Sequence, residues 1–136
     1  MAVRYNAGEI ITAMVTPFNE NKEVDYESLE KLVNHLINTG SDAILVAGTT
    51  GECPTLTHEE EWDVLKFVIK TVNKRVKVIM GTGSNCTETA VMTAAKAEEL
   101  GADAILTVVP YYNKPSQRGM IAHFSAVAEA TKLPII

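Results

Sequence analysis

The 136-residue sequence is 46% hydrophobic and 21% charged, with a net charge of −5 at neutral pH. That is the balance of a folded chain of one domain, residues 1–136, and the acidic excess argues against a nucleic-acid or anionic-membrane partner bound through basic residues. No apolar run approaches the ~18 residues of a membrane span, and Met1 to Asn6 has no apolar core of signal-peptide type, so a cytoplasmic chain is expected.

Short β-branched runs alternate with helical patterns. Gly8 to Val15, with Ile10, Ile11 and Val15, reads as a first strand closed by Thr16-Pro17. Asp25 then caps a helix whose stripe is Leu29, Leu32, Val33, Leu36 and Ile37, ended by Gly40. Ala43 to Ala47 follows as a strand apolar on both faces, as a strand between helices and a barrel core must be. Thr57 and Glu60 form a capping box for the second helix, with Leu65, Val68, Ile69 and Val72 as its buried stripe. A third strand spans Val76 to Met80. Thr87 caps a helix carrying Val91, Ala94, Ala95 and Leu100, which Gly101 stops. The fourth strand runs from Ala104 to Val109. Ser116 caps the fourth helix, with Met120, Ile121, Phe124 and Val127, and a fifth strand begins at Leu133.

One phrase is nearly repeated: Gly40-Ser41-Asp42-Ala43-Ile44-Leu45 returns as Gly101-Ala102-Asp103-Ala104-Ile105-Leu106. Strands alternating with single helices give a parallel α/β sheet, either an eight-unit barrel or an open doubly wound sheet. Polar, glycine-containing or aromatic segments follow every strand, whereas the helix-to-strand loops look short and bland. Four neighbouring strand ends carrying candidate site residues favour the barrel, because an open sheet gathers its site at one switch point. About four and a half βα units then make the N-terminal half of a (β/α)8 barrel.

Gly48-Thr49-Thr50-Gly51-Glu52 is the sharpest motif, two hydroxyls between glycines on a turn leaving a buried strand. Such a turn can hold a small carboxylate or phosphate through N–H groups and hydroxyls. Gly81-Thr82-Gly83-Ser84-Asn85-Cys86 lacks the third glycine of a dinucleotide fingerprint, and no phosphate-loop lysine follows, so it is expected to shape the pocket floor. Tyr111-Tyr112-Asn113-Lys114-Pro115 offers two phenols, either for proton relay or for packing. Lys114 lies in a loop beside Pro115 and is expected to be solvated rather than a Schiff-base amine. Glu59, Glu60 and Glu61 read as a helix N-terminal charge cluster, Trp62 as packing, and His35, His58 and His123 as helix or cap residues without metal-ligand spacing. Cys53 and Cys86 read as free thiols. No metal or other cofactor is expected.

In combination, Thr16-Pro17-Phe18, Gly48 to Glu52, Gly81 to Asn85 and Pro110 to Pro115 resemble, in order and spacing, the N-terminal half of the dihydrodipicolinate synthase family. The related N-acetylneuraminate lyases usually place serine at the position of Thr49 and lack the Tyr-Tyr-Asn-Lys-Pro form. The resemblance implies a Schiff-base condensation of pyruvate with aspartate semialdehyde in lysine biosynthesis. It implies that Thr50 holds the pyruvate carboxylate and that Thr49 begins a proton relay. Tyr112 would reach across a dimer interface into the neighbouring site, and Tyr111 would be an interface aromatic near a regulatory cleft. His58 and Asn85 match positions used for feedback lysine in some members, but Cys53, Pro54 and Glu61 depart from the lysine-sensitive pattern. The family's Schiff-base lysine lies beyond Ile136, and no lysine of this sequence occupies a strand end facing a barrel interior. The expectation is a chain that carries the carboxylate loop without turning substrate over alone, or else a non-catalytic self-assembling or regulatory half-barrel. Either way, homo-oligomers that cover exposed strand edges are expected.

Overall fold

The computed structural model describes residues 5–136; of the N-terminal stretch searched for a leader, residues 1–4 lie outside that range. Four strands, β1 (Ile11–Ala13), β2 (Ala43–Val46), β3 (Lys77–Gly81) and β4 (Ala104–Leu106), form one parallel sheet in the order β1-β2-β3-β4. A helix follows each: α1 (Tyr26–Asn38), α2 (His58–Val72), α3 (Thr87–Leu100) and α4 (Gln117–Glu129). After α4, a parallel bridge from Ile135 to Ile105 begins the next strand. Sequential order with single-helix crossovers is barrel topology, since a doubly wound sheet reverses direction at a switch point. The fold is the expected half of a (β/α)8 barrel.

Register assigns the two faces. Ile44, Val46, Val78, Met80 and Ile105 pack against the helices, with Leu29 and Val33 of α1, Leu65 and Val68 of α2, and Val127 of α4. Ala43, Leu45, Ile79 and Ala104 point to the inner face, where Tyr5, Ala7 and Leu106 lie over them. The inner face alternates small Ala43 and Ala104 with larger Leu45 and Ile79, and Tyr5 and Ala7 of the N-terminal segment pack against it.

The expected strands over residues 8–15 and 104–109 shorten to Ile11–Ala13 and Ala104–Leu106. At β1 the cause is visible: Asp42 Oδ2 accepts the N–H groups of Glu9 and Ile10, at 2.8 and 2.9 Å, where ladder bonds would otherwise run. Its counterpart in the repeat, Asp103, accepts the Val78 N–H at 2.9 Å and the Lys77 ammonium at 2.7 Å. The helix-to-strand loops are therefore not bland. Each repeat ends a helix on a left-handed glycine, Gly40 (φ +101°) or Gly101 (φ +91°), and then presents an aspartate that clips the preceding strand.

Asp25, Thr57 and Ser116 cap their helices as expected, and the Thr57–Glu60 box is complete. Thr87 does not cap. Cys86 occupies that position, and the Thr87 hydroxyl lies 2.9 Å from His123 Nδ1 instead. Two stripes also rotate. α3 buries Ala90, Thr93, Ala94 and Ala97, short side chains that let it lie close between α2 and α4. α4 buries His123 and Val127 while Ile121 stays 67% exposed. Among the described residues no helix is long and apolar enough to cross a membrane.

Candidate functional site

The segments after the strands gather at the C-terminal end of the sheet. Leaving β2, Ala47 turns into the left-handed region (φ +52°), and Thr49–Gly51 form one 3-10 turn. Glu52 (φ +59°) then leads into a second such turn, Cys53–Thr55. The stretch between β2 and α2 is thus two built turns. Gly51 N–H donates to the Gly48 carbonyl and Glu52 N–H to the Thr49 carbonyl, each at 3.0 Å. Gly51 is buried, and Thr49 and Thr50 are exposed beside it. Two hydroxyls are therefore presented to solvent on a closed backbone turn.

The glycine-containing segment after β3 has a backbone reason for its composition. A Cβ on Gly81 would sit 2.4 Å from the Ala47 carbonyl oxygen, and one on Gly83 would sit 2.6 Å from the Val108 nitrogen. These glycines let neighbouring strand ends touch, which fits the expected pocket floor. Beneath them the Thr82 and Thr107 hydroxyls, both buried, share a 2.8 Å hydrogen bond.

After β4, Asn113 donates through Nδ2 to the Asn85 carbonyl at 2.9 Å, tying this loop to the one after β3. Tyr112 (φ +68°) is 95% exposed, so it stands clear of Thr49 and Thr50 although it rises at the same end of the sheet. Lys114 (φ +43°) is exposed in the same loop, as expected for a solvated amine.

Beside the turns lies a cleft of about 200 Å3 that includes Cys53, His58, Glu61, Ser84, Thr89 and Tyr111. Here Glu61, which stands with Glu59 and Glu60 in the acidic first turn of α2 as expected, is the one of the three that faces inward. Its side chain is buried, with Oε2 2.9 Å from His58 Nδ1. Burial pushes the Glu61 carboxyl above its usual range, against a smaller pull downward from His58. The Cys53 thiol is pushed up by burial and by the Glu61 charge, whereas hydrogen bonds from Thr89 pull the Cys86 thiol down. The signal for Glu61 was its spacing: with Leu65, Val68 and Val72 it falls on one helical stripe. Trp62 packs as expected, stacked on His58 with Lys96 over its ring. A larger cleft, about 580 Å3, lies at the opposite end of the sheet, where Asp42 and Asp103 are engaged in their strand clips.

The dihydrodipicolinate synthetase family model matches residues 6–136. The 4-hydroxy-tetrahydrodipicolinate synthase of Lachnoclostridium phytofermentans is 52% identical over 136 residues, which are 100% of this chain and 45% of that protein. A dihydrodipicolinate synthase from Bacillus anthracis superposes with a TM-score of 0.95 at 53% identity, covering 97% of this chain and 45% of its own. An Acinetobacter baumannii dihydrodipicolinate synthase, solved in complex with pyruvate, matches with a TM-score of 0.93 at 47% identity, over 96% of this chain and 45% of its own. The chain spans under half the length of these relatives. By motif order, half-barrel geometry and these matches together, the chain belongs to the dihydrodipicolinate synthetase family.

Proposed function

We propose that this chain carries the carboxylate-holding half of a 4-hydroxy-tetrahydrodipicolinate synthase site, which takes pyruvate. The observation that supports this reading is the turn after β2, where exposed Thr49 and Thr50 sit on a backbone closed by the Gly51 and Glu52 hydrogen bonds. Its first N–H groups precede any partner within the turn, so they are free to join the hydroxyls around a carboxylate. On this reading Thr50 holds the pyruvate carboxylate. Thr49 passes a proton toward the reacting centre, and Tyr112, projecting from its strained backbone, completes the relay in a second copy's site.

In the full reaction an amine adds to the keto carbonyl and loses water as an iminium forms. Loss of a methyl proton then gives an enamine, whose carbon bonds to the aldehyde carbon while the aldehyde oxygen gains a proton. These 136 residues hold and orient the keto acid; the amine is not among them. Lys114 is exposed in a loop, and Lys77 lies at the opposite end of β3 in an ion pair with Asp103. No resident metal or cofactor enters this scheme. The alternative, a non-catalytic self-assembling or regulatory module, draws support from the apolar side chains left bare at the sheet edges, such as Ile11 and Val15.

Pyruvate titration of the chain, followed at the Thr50 amide by NMR, separates the two. The binding reading expects a saturable shift that Thr50→Ala weakens by about tenfold or more, the worth of a hydrogen bond to a charged group. Borohydride treatment should leave the intact mass unchanged. An unresponsive Thr50 amide would leave the module reading standing, and a stoichiometric adduct on Lys114 would supply the amine held to be absent.

A further inference from the structure

The turn after β2 is held from two sides by residues outside it. At its entry, buried Ala47 adopts φ +52°, a conformation unfavourable for a residue with a Cβ unless its surroundings impose it. Gly81 supplies that surrounding, with its backbone against the Ala47 carbonyl so closely that a Cβ would be 2.4 Å away. At its exit, Thr16, 4% exposed at the end of the β1 segment, donates from Oγ1 to the Gly51 carbonyl at 2.8 Å. The segment bearing Thr16 is itself fixed, since Met14 N–H donates to the Leu45 carbonyl at 3.1 Å.

The Gly51 carbonyl and the Glu52 N–H belong to one planar peptide unit, so orienting one orients the other. That N–H donates to the Thr49 carbonyl at 3.0 Å and closes the turn. A bond from Thr16 therefore reaches, through one rigid plane, the residue next to Thr50. We infer that Thr16 is a positioning residue for the Gly48–Glu52 turn, its hydroxyl setting the Gly51–Glu52 peptide and thereby the aim of Thr49 and Thr50 at a bound carboxylate. The inference rests on the carboxylate-binding reading of this turn.

Thr16→Val removes the hydroxyl at nearly constant volume, and Thr16→Ser keeps it. The test compares both with the parent chain by amide hydrogen exchange and by the pyruvate titration at Thr50. Thr16→Val should weaken pyruvate binding about tenfold and speed exchange of the Glu52 amide by a similar factor, the scale of one lost buried hydrogen bond. Thr16→Ser should return both to within about threefold of the parent, a hydroxyl bond being partly retained. Exchange in α1 and α2 should be equal in all three chains, which a general loss of folding would not permit. Parent-like binding and parent-like Glu52 exchange in Thr16→Val would overturn the inference. An unprotected Glu52 amide in the parent would overturn it without any variant. If the parent ignores pyruvate, the binding reading falls, and Glu52 exchange in Thr16→Val still decides whether the hydroxyl holds the turn.

Discussion

Burial works against the charge on Glu61, and His58 at 2.9 Å offsets only part of the cost. A carboxyl whose folded pKa is raised binds its proton more tightly folded than unfolded. Its contribution to stability is therefore present below the unfolded value, about 4.3, and is lost as pH rises through the folded value. Glu61→Gln keeps a hydrogen-bonding group of the same shape without the charge. The variant should gain on the parent as pH rises, so that its advantage is larger at about pH 7.5 than at about pH 4.5, near the unfolded value. Urea unfolding of both chains at the two pH values measures it. A difference that is flat, or that shrinks with pH, would contradict the assignment. Asp42 has the opposite sign: the Ile10 and Glu9 N–H groups hold its carboxyl below the usual range, so its contribution is present above the unfolded value and fades as pH falls through the folded one.

Among the elements, helix starts are governed by local chemistry, and their outcome follows. Thr57 accepts the Glu60 N–H at 3.2 Å while Glu60 returns to the Thr57 N–H at 2.8 Å. Thr57→Ala removes the Thr57 side of that exchange and should cost about 1 kcal/mol, seen as a thermal midpoint lower by roughly 3–5 °C. An unchanged midpoint would show that α2 is held by packing alone. Such caps, the 2-to-3.6 change of period and the glycines ending α1 and α3 were legible because each depends on residues a few positions apart. What was not legible depends on partners far along the chain. β1 is cut short by Asp42, and Thr87 turns from capping toward His123. The site divides in the same way. The hydroxyl pair on its turn could be read from Gly48 to Glu52, but the support from Thr16 and Gly81 comes from two other strand ends.

At the scale of the molecule the inner face of the sheet is unevenly covered. Ala43, Ile79 and Ala104, on the middle strands and β4, are fully buried with Tyr5 and Ala7 packed over them. The margins differ: Ile11 and Val15 on the β1 side are 40% and 48% exposed, and Ile135 and Ile136 beyond β4 are 40% and 47% exposed. Parallel strand margins that bear apolar side chains and unpaired backbone groups are templates for association. A 136-residue chain carrying both margins is expected to self-associate, with the margin of one copy against that of another. Light-scattering mass over a dilution series should exceed that of a monomer and fall on dilution. Ile11→Lys with Ile135→Lys places a charge on each margin and should move the population toward monomer while the helical circular dichroism stays that of the parent. A parent that is monomeric at every concentration would remove margin pairing. A charged variant as massive as the parent would move the contact to another surface, such as the loop that carries Tyr112.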